Sequence, residues 1–324
     1  MSWELQKLTQ KEFFELNNKL KFKSYLNFPD YLNIYETLGW STQMLIYKKD
    51  RDLLSFCNIL SKSKFGIKLF YIPGGIEGYI DQNVINDLIK FINNNFKNKL
   101  IIFFNFHNKY NINKTFPNSL IKIFNLHETR MVMKKKFTKY ENEDYKYSKN
   151  WRHNLNRSNK KIFSIKKISN PNIDEIIEVY NEMSQIKKYK NTVTSNFLKL
   201  IFENLKRNLI YYESRIDGKL IAFRCVYYNH KSAWDLLAGS NNLSKKNYCT
   251  YKIMDSIFND LKEKNIVYFD FSGVDKINNI GVYNFKKGAG SVEFLKYGEY
   301  VYSNFAILKY CFLFFIFLKR IFIK

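Results

Sequence analysis

The sequence predicts an α+β fold made of two tandem units, each a mixed sheet with helices against it. Three observations carry this. Ile101-Ile-Phe-Phe-Asn105-Phe106 and Ile266-Val-Tyr-Phe-Asp270-Phe271 lie 165 residues apart, and Tyr71-Ile-Pro-Gly74-Gly75 and Leu236-Leu-Ala-Gly239-Ser240 keep that offset. A looser pair, Leu53-Leu-Ser-Phe56 and Leu220-Ile-Ala-Phe223, precedes both, so each copy reads strand, strand, glycine turn, amphipathic helix, buried strand. Finally, 324 residues exceed what one core usually supports, and 30 Phe with 24 Tyr can fill two.

The helix of the first copy sets Val84, Ile85, Leu88, Ile89 and Ile92 on one face. That of the second sets Tyr251, Met254, Ile257, Phe258 and Leu261 on one face, with Lys252, Asp255, Asp260 and Lys262 off it. With 4 Pro and 12 Gly there is no Pro/Gly-rich linker. The charged run from Lys134 to Lys149 lacks apolar periodicity over 140–145 and serves as the boundary. The expected division is 1–145, 146–304 and a tail, 305–324.

After that boundary, Lys149 to Lys161 packs five cations into thirteen residues on a predicted helix. Arg152, Asn156, Asn159 and Lys160 recur at helical spacing, so one face is polar and cationic. It suits phosphate or nucleic acid, or equally a solvated domain edge.

Tyr268-Phe-Asp270-Phe-Ser-Gly273 reads as a buried strand ending in a carboxylate and a glycine turn. Asp270 stands where the first copy has Asn105, which assigns the chemistry to the second unit, with Asp270 either a catalytic base or a buried structural acceptor. In Phe285-Lys286-Lys287-Gly288-Ala289-Gly290, two lysines against paired glycines suit an anion, although a plain hairpin turn has the same composition.

The net charge is +24, from 53 Lys+Arg against 29 Asp+Glu, a field that gathers polyanions such as tRNA, nucleotide diphosphates or an anionic membrane face. In the tail the apolar run Tyr310 to Leu318 has nine residues, short of the roughly 20 a spanning helix needs. Flanked by Lys309, Lys319, Arg320 and Lys324, it fits a segment lying in an anionic interface rather than a helix capping the second core. Deleting residues from Phe305 onward is then expected to leave a folded, more soluble chain. Met1-Ser-Trp-Glu4 opens with an early acid and no apolar stretch, so no secretory signal is expected. The four Cys and four His show no ligand or triad spacing, so neither a metal nor a cofactor is expected.

With these residues in view, the chain resembles the Fem family of tRNA-dependent aminoacyl (peptidyl) transferases, built from two tandem acyltransferase units of the GNAT type. Trp151-Arg152-His-Asn154-Leu-Asn-Arg157-Ser-Asn-Lys160 is similar to the family's W-R-x-N-I-x-R/K-A-x-K helix, and Gly218-Lys-Leu-Ile-Ala222 to its G-x-x-I-A strand pair. Tyr268-Phe-Asp270-Phe-Ser-Gly273 is close to Y-D-F-x-G, and Phe285-Lys286-Lys-Gly288-Ala-Gly290 to F-K-x-G-F-G, with Ala289 replacing the aromatic. The resemblance implies acyl transfer to an amine of a cell-envelope precursor, a peptidoglycan interpeptide bridge or a surface-polysaccharide amino sugar. It implies Asp270 and Lys286 as catalytic residues, and Arg152, Arg157, Tyr251, Lys287, Gly288 and Gly290 as substrate-binding ones. Lys286 and Arg152 would neutralise the diphosphate of a lipid- or nucleotide-linked acceptor. Two departures stand out: no heptad run supplies a coiled-coil arm, and the R/Q-x-x-G-x-G/A loop that holds acetyl-CoA is replaced by Gly239-Ser-Asn-Asn-Leu-Ser-Lys-Lys246. The expected donor is accordingly aminoacyl-tRNA rather than acetyl-CoA, and the expected location cytoplasmic, peripheral on the inner face of the membrane. The other class consistent with the sequence is a non-catalytic basic module that binds RNA or membrane through degenerate units.

Overall fold

The structure is a computed structural model, and it describes all residues except 1, 21–23, 51, 97, 114, 124–128, 138–146, 188–192 and 324, and the side chains at 10 and 319–323. The aperiodic run at 140–145 lies outside the described residues. In chain order the elements begin with β1 (Ser2–Gln6), α1 (Gln10–Leu20), α2 (Pro29–Thr37), β2 (Ser41–Lys49), β3 (Asp52–Lys64), β4 (Ile67–Ile72), β5 (Glu77–Gly78), α3 (Gln82–Asn95), β6 (Lys99–Lys109) and β7 (Ile121–Ile123). Next come β8 (Met131–Lys136), α4 (Lys149–Ser158), β9 (Ser164–Lys167), α5 (Ile173–Lys187), α6 (Ser195–Leu205), β10 (Leu209–Ile216), β11 (Lys219–Asn229) and β12 (Ser232–Ser240). The last are α7 (Asn242–Lys246), α8 (Cys249–Glu263), β13 (Tyr268–Gly273), α9 (Ile280–Gly288), β14 (Val292–Ser303) and α10 (Ala306–Ile323).

Two compact units result, one of Met1–Arg130 with Leu295–Ile323, the other of Met131–Phe294. The chain therefore divides at 130 and 294, not at 145 and 304 as the charge pattern suggests. Hydrogen-bond pairing is the reason. Residues 131–136 form β8, the antiparallel neighbour of β13, while the end of the chain supplies β14, the antiparallel neighbour of β6. A strand belongs to the sheet that satisfies its backbone, whatever its place in the sequence.

Within the first unit the strand order is β1-β2-β3-β4-β6-β14, with β4 and β6 parallel. Within the second it is β8-β13-β12-β11-β10-β9, with β12 and β13 parallel. The two segments matched at 165 residues fall on β6, and on β13 with the two residues before it. Each strand has a parallel neighbour on one side and an antiparallel one on the other, so the repeated sequences do occupy equivalent strands. A helix links each parallel pair, as a crossover between parallel strands requires. In α3, capped by the Asp81 carboxylate accepting from Val84 N, the predicted face Val84, Ile85, Leu88, Ile89 and Ile92 is buried on the sheet beside Phe70 and Phe104. In α8, Met254, Ile257, Phe258 and Leu261 are buried as predicted, but Cys249 and Ile253 complete the core face and Tyr251 is only half-buried. Gly239, read as a turn, lies inside β12.

Against the first unit's sheet lies α10. Ile316 is 3% exposed, and with Leu308, Phe312 and Leu313 it packs on Ile101, Phe103, Ile123 and Val301. The tail is thus a helix with one face in the core of the first unit, not a cap on the second. No helix among the described residues is long and apolar enough to cross a membrane.

Candidate functional site

The second unit holds a cleft of about 790 Å³, a size that suits a small ligand or the end of a larger one. Its origin is the parallel pair. β12 and β13 are in register only over Ser232–Trp234 with Tyr268–Asp270; beyond those residues the strands part, and Asp235–Ser240 on one side and Phe271 and Ser272 on the other line the opening. α5, α8 and α9 close it with Lys187, Tyr251 and Lys286. Ligand sites of open α/β sheets form at such carboxyl-terminal partings.

Where the strands part, backbone carbonyls need donors, and Lys286 supplies them. Its Nζ donates to Phe271 O at 2.5 Å and Gly273 O at 2.8 Å, while the residue is 6% exposed. Two of the three ammonium hydrogens are so committed, which leaves one for the cleft. Burial pulls the Lys286 pKa down to about 8; nearby Arg224 and Lys187 add to this, and Asp235 and Asp270 oppose it. From this a pH dependence follows. Between pH 8 and the ordinary lysine value of 10.5 the unfolded chain binds the proton that the folded chain has lost, so this lysine's contribution to stability rises with pH in that window. Thermal unfolding at pH 7.5 and 9.5 should show wild type gaining on Lys286→Met as the pH is raised.

Beside it lies a buried ion pair. Asp235, on β12, meets Arg224, on β11, with Nε and Oδ1 3.2 Å apart and both side chains about a tenth exposed or less. Neither atom is aligned for a hydrogen bond, so charge rather than geometry holds them together. Burial pushes the Asp235 carboxyl pKa up, and Arg224 and Lys286 pull it back. The Arg224 guanidinium also sits 5.3 Å from the Phe285 ring centroid and brings Nη1 to 3.0 Å from Met254 Sδ. Lys187 and Lys245 add positive charge to the wall; burial lowers the Lys187 pKa, helped by Lys245 and Arg224.

At the rim, α8 starts at Tyr248, a left-handed residue (φ 57°) that gives the helix no side-chain cap. Arg157 Nη1 donates to the Tyr248 hydroxyl at 2.9 Å and its guanidinium stacks 5.5 Å from that ring. Asn154 Nδ2 donates to Tyr251 OH at 3.0 Å, and burial raises the Tyr251 pKa. Of the residues singled out in the sequence, Lys286 and Tyr251 therefore line the cleft, and Arg157 acts on it through Tyr248.

The rest stand elsewhere. Asp270 is on the strand face opposite the fully buried Phe269 and Phe271; its Oδ2 pairs with Lys134 Nζ at 3.2 Å and its Oδ1 accepts from Ser272 N at 2.8 Å. It is not among the residues lining the cleft. Arg152 is exposed on α4, and Lys287 is exposed on α9, 5.6 Å from the Tyr283 ring. Residues 285–288 are helix rather than a phosphate loop. Gly288 lies where a Cβ would stand 3.0 Å from Ser148 Oγ and 3.1 Å from Trp151 Cδ1. Gly290 (φ 81°) ends the helix, its N–H donating to Lys287 O. A helix C-terminus presents carbonyls and negative partial charge, so it repels the anion that the composition invites.

Arg224, Asp235, Lys187 and Lys245 were missed. For the first two a signal existed: each is the lone charge in an apolar strand run, Leu220–Tyr228 and Ala233–Ala238, and such residues are rarely buried unless paired. Among the described residues no group of three His, Cys, Asp or Glu is placed to hold a metal.

Two units of this sheet plan in one chain define a tandem GNAT fold. FemX has it: the match has a TM-score of 0.74 at 14% identity and covers 92% of this chain and 97% of that one. A tandem GNAT protein from the clavulanic acid biosynthesis pathway matches with a TM-score of 0.52 at 6% identity, over 93% of this chain and 98% of that one. The C-terminal domain of a protein described as a lysylphosphatidylglycerol synthetase, from Agrobacterium fabrum, matches with 0.51 at 13% identity, over 90% and 92%. No family model and no curated protein sequence matches the chain. The Fem-like resemblance read from sequence is borne out as a fold.

Proposed function

We propose that the protein is an aminoacyltransferase that forms an amide on an amine of a cell-envelope precursor at the cytoplasmic face of the membrane. The observation that carries this is the Lys286 ammonium, buried at the strand parting with one donor left for the cleft. In acyl transfer the amine attacks an ester carbonyl, a C–N bond forms, and negative charge develops on the carbonyl oxygen before the C–O bond breaks. A fixed cation in a buried site stabilises that charge. The proton lost by the amine must reach the leaving oxygen, and Asp235 is the carboxylate that lines the cleft to relay it. Asp270, paired with Lys134, supports the strand rather than the reaction.

Lys187, Lys245, Arg224 and Lys286 against Asp235 leave the wall net positive, which favours substrates carrying phosphate. Aminoacyl-tRNA as donor and a lipid- or nucleotide-diphosphate-linked precursor as acceptor both meet that requirement. A non-catalytic basic module would also fit the +24 charge. Mass spectrometry of envelope precursors from cells with and without the protein decides between them. One acceptor should lose a mass equal to an amino acid residue when the protein is absent, and unchanged precursors would reject transfer. Purified protein should then label that acceptor from aminoacyl-tRNA and not from acetyl-CoA.

A further inference from the structure

α10 is committed to the first unit through one face, and among the described residues its other face is exposed. Ile307, Tyr310, Phe314, Phe315 and Phe317 are 57–64% exposed, and Cys311 is exposed among them. At 100° per residue these six positions fall in a single arc opposite Ile316. Both sides of the helix are apolar, a pattern expected of buried helices, yet here half of it meets solvent. Clustered exposed aromatics of this kind mark an interaction surface.

Charge selects the occupant. α10 carries Lys309, Lys319 and Arg320 and no acid. At its start Lys99 Nζ lies 4.7 Å from the Phe305 ring, and along the sequence Lys309 precedes the aromatic run and Lys319 follows it. The whole chain is at +24. We propose that the outer face of α10 docks in the plane of an anionic lipid bilayer, with the aromatic arc among the acyl chains and the chain's excess positive charge drawn to the headgroups. A helix of 18 residues with apolar contacts on its other side to Ile101 and Phe103 lies along the surface and does not cross it. The inference shares the membrane location of the proposed function but none of its chemistry.

The chain reports on this surface by itself. Cys311 is the exposed thiol, while Cys57, Cys225 and Cys249 are buried, so an environment-sensitive fluorophore attaches at Cys311 on the face in question. Vesicles of phosphatidylglycerol and phosphatidylcholine should shift its emission to the blue and carry the unlabelled protein up in flotation; vesicles of phosphatidylcholine alone should do so more weakly. Phe314→Glu and, separately, Phe317→Glu should keep the circular dichroism of the parent, since both sites are exposed. Each should weaken partition by at least about tenfold. Equal partition of parent and both variants would overturn the inference. So would a dimer that Phe314→Glu dissociates while the parent ignores vesicles, because a second copy would then own the face. No acceptor or donor is present in this assay. Vesicle binding without transfer therefore counts against the proposed reaction alone, and transfer without vesicle binding against the docking face alone.

Discussion

Lys286→Met is expected to lower kcat for amide formation by about 10²- to 10³-fold, the loss typical of removing one donor to a developing oxyanion. The side chain it removes is the ammonium held by Phe271 O and Gly273 O, and methionine fills a similar volume without charge. A purely structural lysine predicts something different. In that case activity would fall only as far as folded protein is lost, since two carbonyls at the parting lose their donor. The pH profile separates the two. With its pKa near 8, the lysine acts as a cation below that value, so kcat should decline as pH rises through about 8. The residual activity of Lys286→Met should lack that limb. A parent profile flat across pH 7–9 would remove Lys286 from the chemistry.

Deleting residues from Phe305 onward should destabilise the first unit by on the order of 5 kcal/mol, through the partial burial of Leu308, Phe312, Leu313 and Ile316. Ile101, Phe103, Ile123 and Val301, each now at most 7% exposed, would face water. Domains are stable by margins of this size, so the truncated chain should aggregate or melt well below the parent. That is the reverse of the expectation drawn from the tail's composition. A truncated chain with the parent's thermal transition would show that α10 contributes no core.

Much of the fold was legible because burial imposes periodicity. The α3 face Val84 to Ile92 and the strands around Ile102 and Phe269 read correctly from spacing alone, since each needs one apolar side toward a sheet. Strand exchange was not legible. Nothing in Met131–Lys136 or Val292–Ser303 says which sheet will satisfy its backbone, because main-chain hydrogen bonds carry no side-chain signature.

For the site, the composition is legible in the sequence: a duplicated unit whose second copy carries Lys286 and Arg157 in motifs and Tyr251 on its amphipathic helix, in a strongly basic chain. Which of these groups converge depends on the folded chain. Asp270 and Arg224 each sit within a strand, yet the parting of β12 from β13 puts Arg224 in the cleft with Asp235 and leaves Asp270 to Lys134. Likewise the Lys-Lys-Gly-x-Gly stretch has the composition of an anion loop, but its helical hydrogen bonds turn Lys286 inward, Lys287 outward and the glycines into a helix end. The physical reason is common to both. Local sequence sets what a residue is able to do, whereas the direction of a side chain depends on backbone pairing with strands and helices far along the chain.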